Sequence, residues 1–182
     1  MKPEKYCANT QTIIYHIQTQ SPQLSQWINE SKPFVTDVSE KEAIVDFKDH
    51  IAKREGSGAP LEEINSKKQE LIYLERFFSE AITDGRYIRT ALDVQIQTRA
   101  HEINNNRITP SVQLNDCTIA AACEQHGLIL VTSDIDLKNK LTKENELNKG
   151  RFQLQTYEYA KDGRHETTFR RWNDAAMTLG EV

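Results

Sequence analysis

The stretch from residue 114 to 137, LNDCTIAAACEQHGLILVTSDIDL, limits most strongly how this chain can fold. The small residues after Asp116 predict a helix that packs closely on a sheet, and Gly127 suits the position just past that helix. The continuous apolar run at 128–131 is typical of a strand buried on both faces. Asp134 follows this strand, so two carboxylates bracket one buried unit.

Helices and strands are predicted to alternate along the chain. Strands are expected at 6–8, 34–36, 128–131 and, as the last one, 152–157, and helices at 10–18, 22–30, from 39 onward, at 61–82 and at 86–103, with a short polar helix or loop at 135–147. Such alternation predicts an α/β fold with a mainly parallel sheet. Ligands of such sheets collect beyond the carboxyl ends of the strands, where Asp134 and Asp116 would meet.

Composition is that of a soluble globular chain, with 182 residues, 37% hydrophobic and 27% charged. No apolar run approaches the roughly 20 residues of a membrane span, so we expect no membrane partner. The N-terminus lacks a signal-peptide pattern, which predicts a cytoplasmic protein. A net charge of −4 still allows a nucleic-acid binder if the acidic residues are concentrated in a metal site.

Cysteine and histidine chemistry has little support in the sequence. The three cysteines, Cys7, Cys117 and Cys123, form no C-x-x-C pair, which favours reduced, half-buried thiols over disulfides or a zinc site. The five histidines contain no H-x-x-x-H pair, so a histidine-based metal site is not expected.

Three motifs together resemble a known family. Residues 116–134 read D-x-x-I-A-A-x-x-x-x-x-G-x-x-L-V-T-x-D and resemble the C-terminal half of a PIN-domain nuclease, a group that includes VapC-type toxin ribonucleases. The family's L-D-T-N-x-L-I corresponds to A-N-T-Q-T-I-I at 8–14, where Asn9 replaces the acid. Its S-x-x-T-x-x-E-L pattern corresponds to T-D-V-S-E-K-E-A at 36–43, which supplies Glu42.

This resemblance implies a PIN-like α/β/α sandwich with a central, mainly parallel sheet. It covers nearly all of residues 5–157 and is weak between about 56 and 105, where the helices are longer than the family minimum. We therefore expect a PIN-like domain at 1–157 with a helical insertion at about 56–105. Residues 158–182 would form a C-terminal extension.

The resemblance also implies a chemistry. PIN domains gather carboxylates around one or two Mg²⁺ or Mn²⁺ ions and hydrolyse phosphodiesters, and such hard cations prefer oxygen ligands. The residues carried over are the metal ligands Glu42, Asp116 and Asp134, direct or through water, with Asp136 assisting, Thr132 as a hydrogen-bonding partner and Asn9 at the position of the fourth catalytic acid.

Asn9 leaves two explanations open. The natural protein could be a degenerate PIN domain that binds RNA or a partner without efficient cutting. Alternatively, the natural residue is aspartate and Asn9 is a deliberate change that silences a toxic ribonuclease, a reading favoured by the intact remainder of the site. An amide keeps the shape but loses the charge, which weakens affinity for a divalent ion.

Each acid also has a simpler interpretation. Asp116 and Asp134 could be helix caps, and Glu42 could be the capping-box partner of Ser39, at the S-x-x-E spacing. Their joint occurrence in family order favours the metal site. Asp37 and Asp93 have no comparable support and are interpreted as surface residues.

The leading hypothesis is a Mg²⁺-dependent endoribonuclease, the toxin of a toxin–antitoxin pair, with RNA as substrate. Family habit adds an antitoxin partner and a homodimer. The alternatives are a non-catalytic module that binds RNA or protein, and a nuclease acting on DNA. The basic stretch at 160–177 could track a phosphate backbone or form a final hairpin or solvated tail. Further basic residues, Lys67, Lys68, Arg86, Arg89 and Arg99, could flank the cleft or be solvated.

Overall fold

Strands and helices follow one another through most of the chain. The computed structural model describes residues 4–18, 22–105, 112–148, 150–158, 168–171 and 176–178. The helices are α1 (Thr10–Ile17), α2 (Pro22–Ser31), α3 (Asp37–Gly56), α4 (Leu61–Thr83), α5 (Val94–Asn105), α6 (Leu114–His126) and α7 (Ile135–Asn148). The strands are β1 (Tyr6–Ala8), β2 (Val35–Thr36), β3 (Tyr87–Ile88), β4 (Ile129–Thr132), β5 (Gln153–Glu158), β6 (Thr168–Arg171) and β7 (Ala176–Thr178).

The central sheet has the strand order β1-β4-β5-β6-β7. Strand β4 pairs in parallel with both β1 and β5, whereas β6 and β7 are added antiparallel. Strands β2 and β3 form a parallel pair, which a parallel bridge between Cys7 and Phe34 connects to β1. The predicted α/β class with a mainly parallel sheet is confirmed, and the parallel strands end at one common edge.

Helices cover both faces of this sheet. On strand β4, Leu130 belongs to an apolar cluster with α5, α6 and α7, whereas Val131 packs with α2 on the opposite face. This alternation produces the predicted three layers. The small residues of α6 are almost completely buried, so this helix lies close against the sheet. Cys7, Cys117 and Cys123 are all buried, more fully than the half-buried state that we expected.

Local sequence signals explain the end of α6 and the start of α3. The start of α3 differs from the prediction. Gly127 ends α6 with φ 63°, a left-handed conformation that glycine adopts without steric cost. The expectation that Ser39 caps the next helix is wrong, because α3 already begins at Asp37. Thr36 is its N-cap and accepts a hydrogen bond from the backbone N–H of Ser39. Glu42 is therefore not a capping-box partner.

The helix predicted at 86–103 begins later than expected. Residues Tyr87–Ile88 form β3, and α5 starts at Val94, after Asp93. The Asp93 carboxylate accepts hydrogen bonds from the N–H groups of Gln95 and Ile96, so this surface residue also caps the helix. A strand of two residues is too short to show a recognisable apolar alternation, so the sequence alone cannot distinguish it from the start of the following helix.

The strand predicted as the last one is also not the last. Strands β6 and β7 follow β5 and pair as a hairpin, in line with the hairpin alternative for the stretch at 160–177. Within that stretch, Arg164, His165 and Trp172 lie outside the described residues. The division into 1–157, a helical insertion and an extension stays a prediction. In the described parts of the chain, no helix has both the length and the apolar character to cross a membrane.

Candidate active site

A cleft of about 1050 Å³ opens at the edge of the sheet where the parallel strands end. Elements that are distant in sequence contribute its walls: α1, α3, the first turn of α6 and the turn between β4 and α7. The predicted site residues that line it are Asn9, Glu42, Asp116 and Asp134. Chain topology thus brings together side chains that are separated by up to 125 positions (134 − 9).

Asn9 is integrated into the wall of this cleft. It is only 3% exposed and is the N-cap of α1, where its side-chain oxygen accepts a hydrogen bond from the N–H of Thr10 at 2.6 Å. Its Nδ2 donates to Thr132 Oγ1 at 3.0 Å, and its side chain also hydrogen bonds to Asp116. Aspartate is an equally good N-cap, so the local backbone suits either residue.

Thr132 connects the two halves of the site. This residue is fully buried at the end of β4, and its hydroxyl oxygen accepts from Asn9 Nδ2 and from the N–H of Asp134, both at 3.0 Å. A hydroxyl can both donate and accept, so Thr132 could donate to an aspartate at position 9 while still accepting from Asp134. These two contacts are with an amide and a backbone N–H, so the expected bond from Thr132 to a carboxylate or a metal-bound water stays a prediction.

Glu42 is held by two neutral donors from different helices. The hydroxyl of Thr10 donates to Oε2 and the side-chain amide of Asn115 donates to Oε1, each at 2.6 Å. Glu42 lies in the second turn of α3, beyond the Thr36 cap. Both oxygens are therefore oriented before any ligand binds. Neither donor was expected from the sequence, because no motif marks an asparagine or threonine that meets a distant carboxylate.

Asp116 carries the most perturbed carboxyl group in the cleft. Burial, together with the negative charges of Asp134 and Glu42, raises its pKa to about 6. Hydrogen bonds from the N–H of Gln113 and from Asn9 oppose this increase. The contact with Gln113 resembles the returning half of a capping box, at the start of α6. Asp116 is thus a helix-start residue whose charge is also influenced by the other acids.

Asp134 and Asp136 have different surroundings. Asp134 lines the cleft and is the residue before α7, where its Oδ1 accepts from the N–H of Leu137 at 3.0 Å. Asp136 lies in the first turn of α7, is exposed, and is not among the residues that line the cleft. The structure therefore brings Asp134 to the other acids and leaves Asp136 outside; its assisting role stays a prediction.

The cleft is strongly acidic. Within the described ranges, Lys41 is the sole lysine or arginine that lines it, whereas the acids are Asp37, Glu42, Asp46, Asp49, Asp116 and Asp134. Four of the basic residues considered from the sequence form ion pairs with acids instead: Lys67 with Glu70, Lys68 with Glu55, Arg86 with Asp84, and Arg99 with Glu102 and Glu124. Arg89 lies beside the ring of Tyr87. None of these five lines the described cleft.

Asp37 is more than the surface residue expected from the sequence. Its Oδ1 accepts from both the N–H and the hydroxyl of Thr90, at 2.9 and 2.6 Å, and its Oδ2 accepts from the N–H of Ala91 at 3.1 Å. These bonds attach the segment after β3 to the start of α3. Because Asp37 and Ala91 both line the cleft, this attachment shapes its rim.

The donor set suits a hydrated divalent cation better than a tightly ligated one. Across the described ranges, no three acidic, histidine or cysteine side chains are grouped so as to hold a metal ion directly. Both oxygens of Glu42 and one of Asp134 already accept hydrogen bonds. Mg²⁺ commonly keeps several waters and takes few carboxylates, so contact through water is compatible with this arrangement. The acid charges that raise the pKa of Asp116 are those that a cation would neutralise.

Comparisons with known proteins agree with this architecture. Residues 6–140 match the PIN domain family. The fold is similar to a DNA-bound VapBC from Salmonella typhimurium, with 18% identity, 75% of this chain and 92% of that chain covered, and a TM-score of 0.55. It is also similar to VapBC2 from Rickettsia felis bound to a promoter DNA fragment, with 14% identity, coverage of 84% and 98%, and a TM-score of 0.53.

At these low identities, the structural likeness shows a shared fold. No curated protein matches the sequence significantly. The family match covers well over half of the chain and confirms the resemblance seen in the motifs. PIN domains are generally nucleases that use divalent metals. This chain belongs to the PIN domain family.

Proposed function

We propose that this protein is a Mg²⁺-dependent endoribonuclease and the toxin of a toxin–antitoxin pair, with activity lowered by Asn9. One observation carries this proposal: Glu42, Asp116 and Asp134 come from three separate elements and line one cleft, with Asn9 beside them. The raised pKa of Asp116 supports it, because the other two acids are close enough to influence its charge. Mn²⁺ is an alternative ion of the same class.

The chain's own residues would orient the reacting groups. A bound divalent cation would supply a more acidic water and neutralise charge on the scissile phosphate. Thr10 and Asn115 keep the Glu42 carboxylate facing the cleft, and the start of α7 orients Asp134. An amide at position 9 can hydrogen bond to a water but cannot take its proton. Asn9 would therefore still allow RNA to bind, weaken the affinity for the cation and slow hydrolysis.

The decisive experiment restores the missing acid. The Asn9→Asp variant should cleave single-stranded RNA with Mg²⁺, and EDTA or an added Asp116→Asn change should abolish cleavage. An added Glu75→Gln change, at an exposed position of α4, should leave cleavage unaltered. If the folded, Mg²⁺-loaded Asn9→Asp variant leaves both structured and unstructured RNA intact, the proposal is lost. Matched DNA substrates cut at the same rate would instead support the DNA-directed alternative.

A non-catalytic binding module remains the second candidate. The hydrogen bonds of the Asn9 amide to Thr132 and Asp116 favour it, because position 9 is fully accommodated as an amide. This candidate predicts RNA or protein binding that does not depend on Mg²⁺. Calorimetric titration of Mg²⁺ into the unaltered chain distinguishes the two, since stoichiometric binding at the cleft would count against it.

An antitoxin partner is part of the proposal. The similar structures are VapBC complexes, and the acidic cleft suits a partner segment that carries positive charge. Expression of Asn9→Asp should arrest growth, and co-expression of a small DNA-binding protein encoded beside this gene should relieve the arrest. Unrelieved toxicity with every neighbouring product would contradict the pairing. RNA as substrate would place this action in the cytoplasm, and homodimerisation stays a family expectation.

A further inference from the structure

A buried tyrosine hydroxyl lies behind the candidate active site. Tyr157 belongs to β5 and is only 1% exposed. Its hydroxyl lies 3.0 Å from Thr12 Oγ1, and it also hydrogen bonds to Ser133. Thr12 lies in the first turn of α1, three residues after Asn9. Ser133 lines the cleft, immediately before Asp134.

The direction of these hydrogen bonds follows from the number of protons available. The Thr12 hydroxyl donates its single proton to the carbonyl oxygen of Val131, at 3.1 Å. Thr12 must therefore accept from the Tyr157 hydroxyl, which leaves Tyr157 to accept from Ser133. The result is a directed series of bonds from Ser133 through Tyr157 and Thr12 to Val131. Every proton in the series has an acceptor.

This series joins the two segments that carry the site. Thr12 is held to the end of β4 at Val131, while Ser133 leads directly into Asp134. The side-chain bond from Asn9 to Thr132 is a second connection between the same two segments. Tyr157 itself does not line the cleft, so its hydroxyl is not expected to touch a substrate.

We infer that Tyr157 is a positioning residue, which acts through Thr12 and Ser133 to fix Asn9 and Asp134 relative to each other. The inference rests on the proposed function, because it takes position 9 and Asp134 as parts of one metal-binding site. Groups that orient metal ligands from behind influence affinity and activity without contacting the metal. Tyr157 lies outside the three motifs, at 8–14, 36–43 and 116–134, that resemble the PIN family.

The first test removes only the hydroxyl. Tyr157→Phe in the unaltered chain should weaken Mn²⁺ binding, measured by electron paramagnetic resonance titration, by about tenfold. In the Asn9→Asp background it should lower kcat by about tenfold and change the KM for RNA less than about twofold, because the hydroxyl is buried. The control is Tyr6→Phe. The Tyr6 ring packs against the apolar cluster that contains Tyr157, Val131 and residues of α2, but its hydroxyl donates to Glu4, away from the series. This control should alter neither quantity.

The second test identifies the route. In a Thr12→Val, Ser133→Ala background, adding Tyr157→Phe should have no further effect on Mn²⁺ affinity. If Tyr157→Phe lowered Mn²⁺ affinity in that background as much as it does in the unaltered chain, the inference would be overturned. A Tyr157→Phe variant that is less stable yet binds Mn²⁺ with normal affinity would also overturn it. If Tyr157→Phe does not fold, Ser133→Ala alone serves, since it removes the first donor of the series at a half-buried position.

The outcomes separate this inference from the proposed function. If the Asn9→Asp variant binds Mn²⁺ but does not cleave RNA, the ribonuclease proposal is lost. Comparing the Mn²⁺ affinities of the unaltered chain and Tyr157→Phe then still decides whether Tyr157 positions the site. Normal cleavage by Asn9→Asp with no effect of Tyr157→Phe removes the inference alone. Absence of Mn²⁺ binding in the unaltered chain and in Asn9→Asp removes both.

Discussion

The hydroxyl of Thr10 donates to Glu42 Oε2 at 2.6 Å and thereby fixes the start of α1 against α3, across 32 residues of sequence. Asn115 donates to the other oxygen from α6. A carboxylate whose two oxygens both accept hydrogen bonds is already fixed in orientation, so a ligand that binds it pays little additional entropy. Its geometry therefore depends on three helices rather than on one side chain.

Loss of either donor should weaken metal binding. We expect Thr10→Val and Asn115→Ala each to lower Mg²⁺ affinity by about tenfold, because Glu42 would no longer be oriented. Isothermal titration calorimetry measures this. The matched control is Thr142→Val, which removes a hydroxyl that donates to a backbone carbonyl within α7. Unchanged affinity in both variants would show that the orientation of Glu42 does not matter for binding.

The contribution of Asp116 to the stability of the metal-free protein should decrease as pH rises. The folded protein holds a proton on Asp116 with a pKa of about 6, whereas an unfolded aspartate titrates near 3.9. Between these values the folded state binds more protons at Asp116, so the contribution of this residue to the free energy of unfolding should fall by roughly 1–3 kcal/mol from about pH 4 to pH 7.

The Asp116→Asn variant isolates this contribution. It should remove most of the decrease and be more stable than the unaltered chain above pH 6, because it lacks the repelled charge. Urea denaturation at a series of pH values, in EDTA, gives both curves. Parallel curves for the two proteins would contradict the assignment of the effect to Asp116.

Introducing an acid at position 9 should destabilise the metal-free protein. Asn9→Asp replaces a hydrogen-bond donor to Asp116 with a further negative charge. We expect a loss of roughly 1–3 kcal/mol in EDTA at pH 7 and recovery in millimolar Mg²⁺. Thermal unfolding with and without Mg²⁺ measures the difference. A loss that Mg²⁺ does not reverse would indicate that the cleft takes up no cation.

The attachment of residues 90 and 91 to α3 should be a measurable source of stability. Asp37→Ala leaves three donors of Thr90 and Ala91 without their acceptor and should cost roughly 1–3 kcal/mol. Asp84→Ala removes an exposed carboxylate paired with Arg86 and should cost less than about 1 kcal/mol. Equal losses in urea denaturation would mean that the attachment is no stronger than a surface ion pair.

Gly127 provides a test of backbone conformation alone. At φ 63°, alanine in its place should cost about 1 kcal/mol, although no atom lies within 4 Å of the added Cβ. Gly56, at the end of α3, also has open space and no positive φ, so Gly56→Ala should be neutral or slightly stabilising. Similar losses at both positions would point to a cause other than φ.

The sequence was most informative in the segment from residue 114 to 137, where a buried helix and strand are each marked by local sequence patterns. The small-residue helix, Gly127 and the apolar run of β4 fix the places of Asp116 and Asp134, because parallel strands end at a common edge. Glu42 required the family pattern, since alone it could have been a capping residue. The contacts made by Thr10, Asn115 and Tyr157 could not be predicted, because they depend on how helices and strands pack together in three dimensions, which no local spacing encodes.

The amide at position 9 has a practical consequence. If the proposed function is correct, the unaltered chain would bind its target RNA without cutting it and would serve as a capture reagent. Crosslinking in cells that express the unaltered chain should recover intact transcripts, whereas Asn9→Asp should recover fragments of the same transcripts. Sequencing both sets would reveal the cellular target and the cut position together.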